Sequence, residues 1–297
     1  MIFKRQRVLL TLLDALDGQA KHTDFQKLLF LYTQECEDVP SYEFVPYRFG
    51  GFSFTSYADK RKLAAKGLLE DDGKHWTLTD AGRKAARSQA VDPLRAVSFC
   101  RRYERLRGIA LIREQYRRFP YYASRSELLE TLDLAPEDRA RIAEAKPKRK
   151  AAGLLTIGYE GRSLENYLNA LLRAGATTLC DVRRNPLSRK YGFSKGTLSK
   201  ACEGVGIRYA HIPELGIASE SRQELRTQTD YDTLFAVYEQ TILPNQTRHL
   251  DRILEWVAEG DRVALTCFEQ LPQQCHRTRI AQMLERTNKL RRSVQHL

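Results

Sequence analysis

The sequence predicts a two-part protein, with an N-terminal, mainly helical module of winged-helix type followed by a Rossmann-like α/β domain with a mostly parallel sheet. With 297 residues, the chain is longer than most domains that fold around a single hydrophobic core. Apolar residues recur at helical spacing in the first half, whereas short apolar strands alternate with helices after residue 152. A basic, proline-broken run separates the two patterns. We therefore expect a module at 1–88, a basic helical connector at 89–145, a linker at 146–151 and an α/β domain at 152–297.

The N-terminal elements follow the order of a winged helix. Apolar residues at helical spacing between residues 8 and 16 predict a first helix, and Gly18 follows as a stop. Thr23 or Asp24 can cap a second helix, and a third is expected over residues 57–68. Asp72-Gly73 then marks a tight turn between two short strands. Three helices followed by a small hairpin is the arrangement of a winged-helix module.

Part of this segment resembles a known family. Phe44-Val45-Pro46-Tyr47-Arg48-Phe49-Gly50-Gly51-Phe52-Ser53-Phe54 and the later Gly67-Leu68-Leu69 resemble the Panacea family of phage- and antitoxin-associated proteins. The resemblance covers about residues 1–90. It implies a helix-rich module that contacts DNA or a protein partner.

The charge of the chain indicates a polyanionic partner. The formal net charge is +12, and residues 83–150 hold 18 Lys and Arg against 9 Asp and Glu. Arginines in this segment alternate with aromatic residues, a pattern that can hold phosphates and stack on bases. The alternative is a solvated basic helix face whose rings belong to a core. We expect nucleic acid, DNA rather than RNA, to bind at Arg101, Arg102, Arg105, Arg117 and Arg118.

Four strands are expected in the second half, at residues 154–159, 177–183, 206–212 and 262–268. Helices are expected between these strands, and this alternation is typical of βαβ units and a parallel sheet. In such sheets a ligand binds beyond the carboxyl ends of the strands. Ionisable side chains follow every one of these four ends, so the sequence predicts a single site there.

The residue types at this site favour hydrolysis at a nucleotide, for example removal of a base from a flipped nucleotide. Asp181, Glu160 and Glu269 are expected to activate water, and Tyr159 to stack on a base. An open alternative is that Asp181 and Arg183 simply pair with each other. The residues expected to hold substrate or phosphate are Arg162, Arg183, Arg184, Ser188, Arg189, Lys190, His276 and Arg277.

The same segments resemble the domain-of-unknown-function 488 family over about residues 153–290. The motifs that carry this resemblance are Thr156-Ile157-Gly158-Tyr159-Glu160-Gly161-Arg162-Ser163, Asp181-Val182-Arg183 with Pro186 and Ser188-Arg189, Pro213-Glu214-Leu215-Gly216, and Cys267-Phe268-Glu269 with Cys275-His276-Arg277. The resemblance implies that these residues belong to one domain, and it implies no chemistry. Its fusion to a Panacea-like module looks like an arrangement used in phage defence, by analogy alone.

Sulfur chemistry is the main alternative. Cys275 is expected at the start of the last helix, where the helix dipole favours a thiolate, so it could be a nucleophile or transfer sulfur. Zinc could be bound by Cys267, Cys275 and His276 with a fourth ligand, but this spacing is unusual. We therefore expect no metal and no cofactor. A third alternative is a non-enzymatic sensor of modified nucleic acid.

The remaining features indicate a cytoplasmic protein. The six cysteines are scattered and form no C-x-x-C pair, which fits a reducing compartment. The N-terminal segment lacks the pattern of a secretory signal, and no stretch is apolar for long enough to span a bilayer. We expect no membrane association.

Overall fold

The computed structural model describes residues 1–218 and 225–297, which divide into two compact units, Met1–Lys146 and Pro147–Leu297. Residues 146–150, all exposed except the half-buried Pro147, lie at the division, and the chain forms no helix or strand between Ala145 and Gly153.

The N-terminal unit is built from helices and two small antiparallel sheets. The elements are α1 (Lys4–Asp14), β1 (Gln19–Lys21), α2 (His22–Glu35), β2 (Val45–Tyr47), β3 (Gly50–Phe52), α3 (Phe54–Ala65), β4 (Leu69–Asp71), β5 (His75–Leu78), α4 (Asp80–Ser88), α5 (Pro93–Arg102), α6 (Ile109–Arg118), α7 (Pro120–Ala123) and α8 (Pro136–Ala145). One sheet has the strand order β1-β5-β4 and the other is the hairpin β2-β3. The expected turn at Asp72-Gly73 joins β4 to β5, and Gly73 has a φ of 85°, which glycine adopts without strain.

One hydrophobic cluster spans most of this unit. It joins Leu9, Phe25 and Trp76 from the first segment to Phe99 and Leu111 from the basic segment. Residues on both sides of position 88 therefore share a core.

The aromatic residues of the basic segment correct one expectation. Phe99, Tyr103 and Tyr116 are at most 4% exposed, and Phe119 packs edge-on against Phe30 with ring centroids 4.9 Å apart. These rings fill the core, because their apolar area gains more from burial than from contact with water. The prediction that rings of this segment stack on bases is therefore wrong for the buried rings of Phe99, Tyr103 and Tyr116.

The C-terminal unit is built from helices around one parallel sheet. Its elements are β6 (Gly153–Gly158), α9 (Leu164–Ala174), β7 (Thr178–Asp181), α10 (Lys195–Gly204), β8 (Arg208–His211), a 3₁₀ turn (Pro213–Leu215), α11 (Gln228–Val237), a π-helical turn (Tyr238–Ile242), a 3₁₀ turn (Leu243–Gln246), α12 (Thr247–Ala258), β9 (Arg262–Cys267), a 3₁₀ turn (Pro272–Gln274), α13 (His276–Arg286) and β10 (Gln295–His296). The described strands form a five-stranded, fully parallel sheet with the order β10-β6-β9-β7-β8. The α/β class of this region and its four expected strands are confirmed.

The strand order places three strand ends side by side. The last predicted strand, β9, inserts between β6 and β7. Gly158 of β6 is level with Cys267 of β9, and Asp181 of β7 is level with Thr266. The loops that follow these strands therefore leave the sheet at one edge.

The helices around the sheet are defined by ordinary local signals. Ser163 caps α9, since its hydroxyl accepts a hydrogen bond from the Asn166 amide at 3.0 Å. Gly175 ends the helix with a φ of 74°.

Within the described part of the chain, no helix is long and apolar enough to cross a membrane.

Limited proteolysis with trypsin should cut first within residues 146–150 and leave a stable C-terminal fragment. The reason is that this stretch is largely exposed, rich in Lys and Arg, and lies at the division between the units without helix or strand structure. Mass spectrometry of the early fragments measures this. A first cut within residues 160–260 would contradict the division.

Candidate active site

A cleft of about 340 Å³ opens at the carboxyl edge of the parallel sheet. Residues that follow β6, β7, β8 and β9 all contribute to its walls, as expected for a ligand site of a parallel sheet. The lining residues are Tyr159, Arg183, Arg184, Asn185, Leu187, Ser188, Arg189, Ile217, Cys267, Phe268 and Glu269.

A buried ion pair underlies this cleft. Asp181 is fully buried, and its Oδ1 accepts hydrogen bonds from the amide and Nε of Arg183 at 3.1 and 2.8 Å. Its Oδ2 accepts from Arg183 Nη2 at 2.5 Å and from the Tyr209 hydroxyl at 2.6 Å. The remaining Arg183 nitrogen, Nη1, donates to the Tyr159 hydroxyl and to the Phe193 carbonyl, both at 2.9 Å.

The electrostatics of the pair favour the charged states. Burial alone would lower the pKa of Arg183, but hydrogen bonds and the charge of Asp181 raise that pKa above its ordinary value. Burial and the adjacent Asp181 carboxylate raise the pKa of Tyr209, so its hydroxyl stays a donor near neutral pH. The alternative that Asp181 and Arg183 pair with each other is the one the geometry supports.

The expected role of Asp181 in activating water needs correction. The residue has no exposed surface, and four donors already occupy its two oxygens. Glu160 is exposed, accepts a hydrogen bond from the Gln270 amide at 2.9 Å, and does not line the cleft. Of the three carboxylates expected to activate water, Glu269 is the one that lines the cleft.

Tyr159 was expected to stack on a base, but its ring packs against other residues of the site. Its ring stacks on Phe193 with centroids 4.4 Å apart and planes 9° apart, and Phe268 packs edge-on at 5.3 Å. Only 3% of the residue is exposed. These contacts leave no ring face open for a base, so Tyr159 orients Arg183 instead.

The expected phosphate ligands separate into two groups. Arg184, Ser188 and Arg189 line the cleft, and both arginines are exposed. Arg162 and Lys190 do not line it. Lys190 Nζ donates to the Tyr159 carbonyl at 3.0 Å, and burial lowers the pKa of this lysine.

Arg277 and His276 were expected to hold substrate, and burial excludes this. Arg277 has no exposed surface, and its guanidinium donates to the carbonyls of Glu269 and Gln270 at 2.5 and 3.1 Å. It therefore fixes the loop after β9. His276 is 1% exposed and contacts the carbonyl of Val182 through Nε2 at 2.9 Å.

Cys275 is likewise not the activated thiolate that its position before α13 suggested. It is completely buried, and burial together with the neighbouring Cys267 raises the pKa of its thiol well above the ordinary value. Desolvation outweighs the helix dipole here, which disfavours a cysteine nucleophile. Cys267, Cys275 and His276 nevertheless form a cluster whose sulfur and nitrogen atoms lie within 4.8 Å of one another.

Sequence reasoning missed Tyr209, Phe193 and Gly158 as site residues. A Cβ added at Gly158 would lie 1.9 Å from the Glu269 carbonyl, so the loop after β9 approaches here only because residue 158 is glycine. The glycine at the end of the predicted strand was the available signal. Tyr209 and Phe193 carried no comparable signal.

Asp181→Asn should destabilise the protein by about 3–5 kcal/mol, because it leaves the buried Arg183 guanidinium without its carboxylate. Urea denaturation followed by circular dichroism measures the loss. The exposed Arg189→Ala is the control and should change stability by less than about 0.5 kcal/mol. Equal stability of the two variants would show that the pair is not structural.

Comparison with protein families matches most of the cleft, but not Tyr159, to a known domain. Residues 163–284 match the family described as Domain of unknown function DUF488. A comparison with curated proteins finds no significant match. The matched range includes the loops after β7, β8 and β9 and the cysteine–histidine cluster, whereas the Panacea resemblance of the N-terminal segment finds no support. The C-terminal half of this chain therefore contains a DUF488 domain.

Proposed function

We propose that the protein binds nucleic acid and that its α/β unit hydrolyses a nucleotide unit of that nucleic acid in the cleft. The observation that carries the proposal is the composition of the cleft, which is lined by the exposed residues Arg184 and Arg189 together with Glu269. A volume of about 340 Å³ is at the lower end for small-molecule sites and suits one nucleotide.

The two arginines are suited to hold a phosphate. Arg184 makes one long hydrogen bond, from Nη1 to the Pro213 carbonyl at 3.5 Å, and neither arginine has an ion pair among the described residues. A guanidinium presents parallel N–H donors that match two phosphate oxygens. Ser188, which also lines the cleft, adds a hydroxyl.

Glu269 is the group we assign to water activation. It is half-buried and directly follows Phe268. Arg277 fixes this loop by donating a hydrogen bond to the Glu269 carbonyl. A carboxylate held in position beside a bound nucleotide can take a proton from attacking water. Hydrolysis of a glycosidic bond, with release of a base, is the reaction that this arrangement favours.

We assign nucleic-acid binding to the N-terminal unit from its element order and its charge. The order α1-β1-α2-α3-β4-β5, with an intervening hairpin, is compatible with the proposed winged-helix module. On α5, α6 and their connection, Arg101, Arg105 and Arg113 are exposed and have no ion pair within residues 1–218 and 225–297. These three are the charges most available to phosphates.

Three of the neighbouring arginines are already partnered. Arg102 and Arg118 pair with Glu35 at 3.0 and 2.5 Å, and Arg117 pairs with Glu114 at 2.9 Å. A phosphate competes with these carboxylates, so each contributes less to affinity than an unpaired arginine does. Arg102 and Arg117 are the more exposed of the three, so their pairs are weak enough to exchange partners.

DNA affinity should fall steeply with salt, and replacing Arg101, Arg102 and Arg105 by Ala should weaken it for all sequences alike. For duplex DNA, the plot of log affinity against log salt has a negative slope. The triple variant should make this slope less steep by about 2–3, because fewer counterions are released. Fluorescence anisotropy at several salt concentrations measures this. The charge-matched control replaces the exposed Lys289, Arg291 and Arg292. An equal effect of both triple variants would show general charge attraction only.

Glu269→Gln should abolish release of base or strand breakage while leaving DNA affinity within about twofold, since a carboxylate that serves the transition state contributes little to ground-state binding. Arg184→Ala with Arg189→Ala should weaken both binding at the cleft and turnover. End-labelled oligonucleotides, analysed for nicks and abasic sites, provide the assay. Binding without any product in the wild-type protein would identify a sensor and not an enzyme.

A further inference from the structure

The cysteine–histidine cluster has the chemistry and the geometry of a metal site. Cys267 ends β9, and Cys275 and His276 form the start of α13, so three residues from two adjoining elements converge. All three are buried, with at most 1% of each exposed. Their ligand atoms lie within 4.8 Å of one another, and Cys267 Sγ is 3.7 Å from His276 Nδ1.

The orientation of the histidine ring is an independent indication. His276 Nε2 lies 2.9 Å from the carbonyl oxygen of Val182, which can only accept a hydrogen bond. In the neutral imidazole Nε2 therefore carries the hydrogen, and the lone pair of Nδ1 faces the sulfur of Cys267. Histidines that bind metals are typically held in this way, with the far nitrogen donating to a carbonyl or carboxylate.

We propose that Cys267, Cys275 and His276 bind a zinc-class divalent cation, with a fourth coordination position directed to the cleft. This inference does not rest on the proposed function, because the three ligands are defined by their own contacts. Two thiolates and one imidazole are ligands that favour a borderline-soft ion of tetrahedral preference. The donor set disfavours calcium and magnesium, which prefer oxygen.

The spacing fits tetrahedral coordination. Zinc–sulfur and zinc–nitrogen bonds of about 2.3 and 2.0 Å at a tetrahedral angle separate sulfur from nitrogen by about 3.5 Å. The observed distance from Cys267 Sγ to His276 Nδ1 is 3.7 Å, so a bound ion requires little movement. A dication that displaces both thiol protons leaves a neutral centre, which removes the penalty for placing an isolated charge in this buried position.

We place the fourth position beside Glu269. Its Oε2 is 3.3 Å from Cys267 Sγ, and both residues line the cleft. Sites with three protein ligands and one open position bind water and lower its pKa. The carboxylate of Glu269 would accept a proton from such a water, and that water would face any ligand in the cleft.

The competing interpretation is a chain of hydrogen bonds in which thiols donate to one another and to the imidazole. The contacts of Cys267 with His276 and Glu269 are compatible with it. The two interpretations differ in metal content, which is measurable on the reduced full-length protein without any assay of activity.

The test is to expose the reduced full-length chain to zinc, remove loosely held ions by gel filtration, and measure zinc by mass spectrometry. We expect about one zinc ion per chain. Cys267→Ser and Cys275→Ser should lose most of it, whereas Cys202→Ser, a buried cysteine of α10 outside the cluster, should keep it. Cobalt bound to the wild-type chain should show the absorption bands of thiolate ligands in tetrahedral coordination.

A folded, reduced wild-type chain that retains no zinc would overturn the proposal. Zinc that stays bound in both cysteine variants would overturn it as well, since the ion would then lie elsewhere. If a variant fails to fold, the cobalt spectrum of the wild-type chain decides, because the absence of thiolate bands excludes this cluster.

Discussion

The guanidinium of Arg183 lies buried between the Asp181 carboxylate, the Tyr159 hydroxyl and the Phe193 carbonyl, and the site depends on this arrangement. A buried charge is tolerated only where partners satisfy it, so the guanidinium fixes the positions of everything that it contacts. It thereby links the end of β7 to the residue that follows β6 and to the loop before α10. The burial of Asp181 and its four hydrogen-bond donors therefore indicate a structural role for this ion pair.

The site consequently has two layers with different tasks. The inner layer is buried and includes the Asp181–Arg183 pair and Arg277, which holds the carbonyls of the loop after β9. The outer layer faces the cleft and offers Arg184, Arg189 and Glu269 to a ligand. A rigid inner layer keeps the outer groups in position, so they need little rearrangement when a ligand binds. The cysteine–histidine cluster lies between these layers, since Cys267 belongs to the buried strand and also lines the cleft.

The sequence was sufficient to predict the four principal strands, their parallel arrangement and the strand ends that carry the site. These features follow from local apolar periodicity and from the geometry of βαβ units. It could not predict which arginines are buried, because the neighbouring Arg183 and Arg184 both follow β7 and only the tertiary packing separates them. The insertion of β9 between β6 and β7 is a long-range pairing, and the two-residue strand β10 is too short and polar to give a signal.

The most direct test of the account is to titrate a short single-stranded oligonucleotide into the isotope-labelled protein and follow backbone amide shifts by NMR. Amides of Asn185, Ser188 and Phe268, which line the cleft, should shift together and saturate at the same oligonucleotide concentration. A buried control amide far along the sheet, such as Leu155, should stay unchanged. Shifts confined to the N-terminal unit, with none in the loops that follow β6, β7 and β9, would contradict a nucleotide site at the carboxyl edge of the sheet.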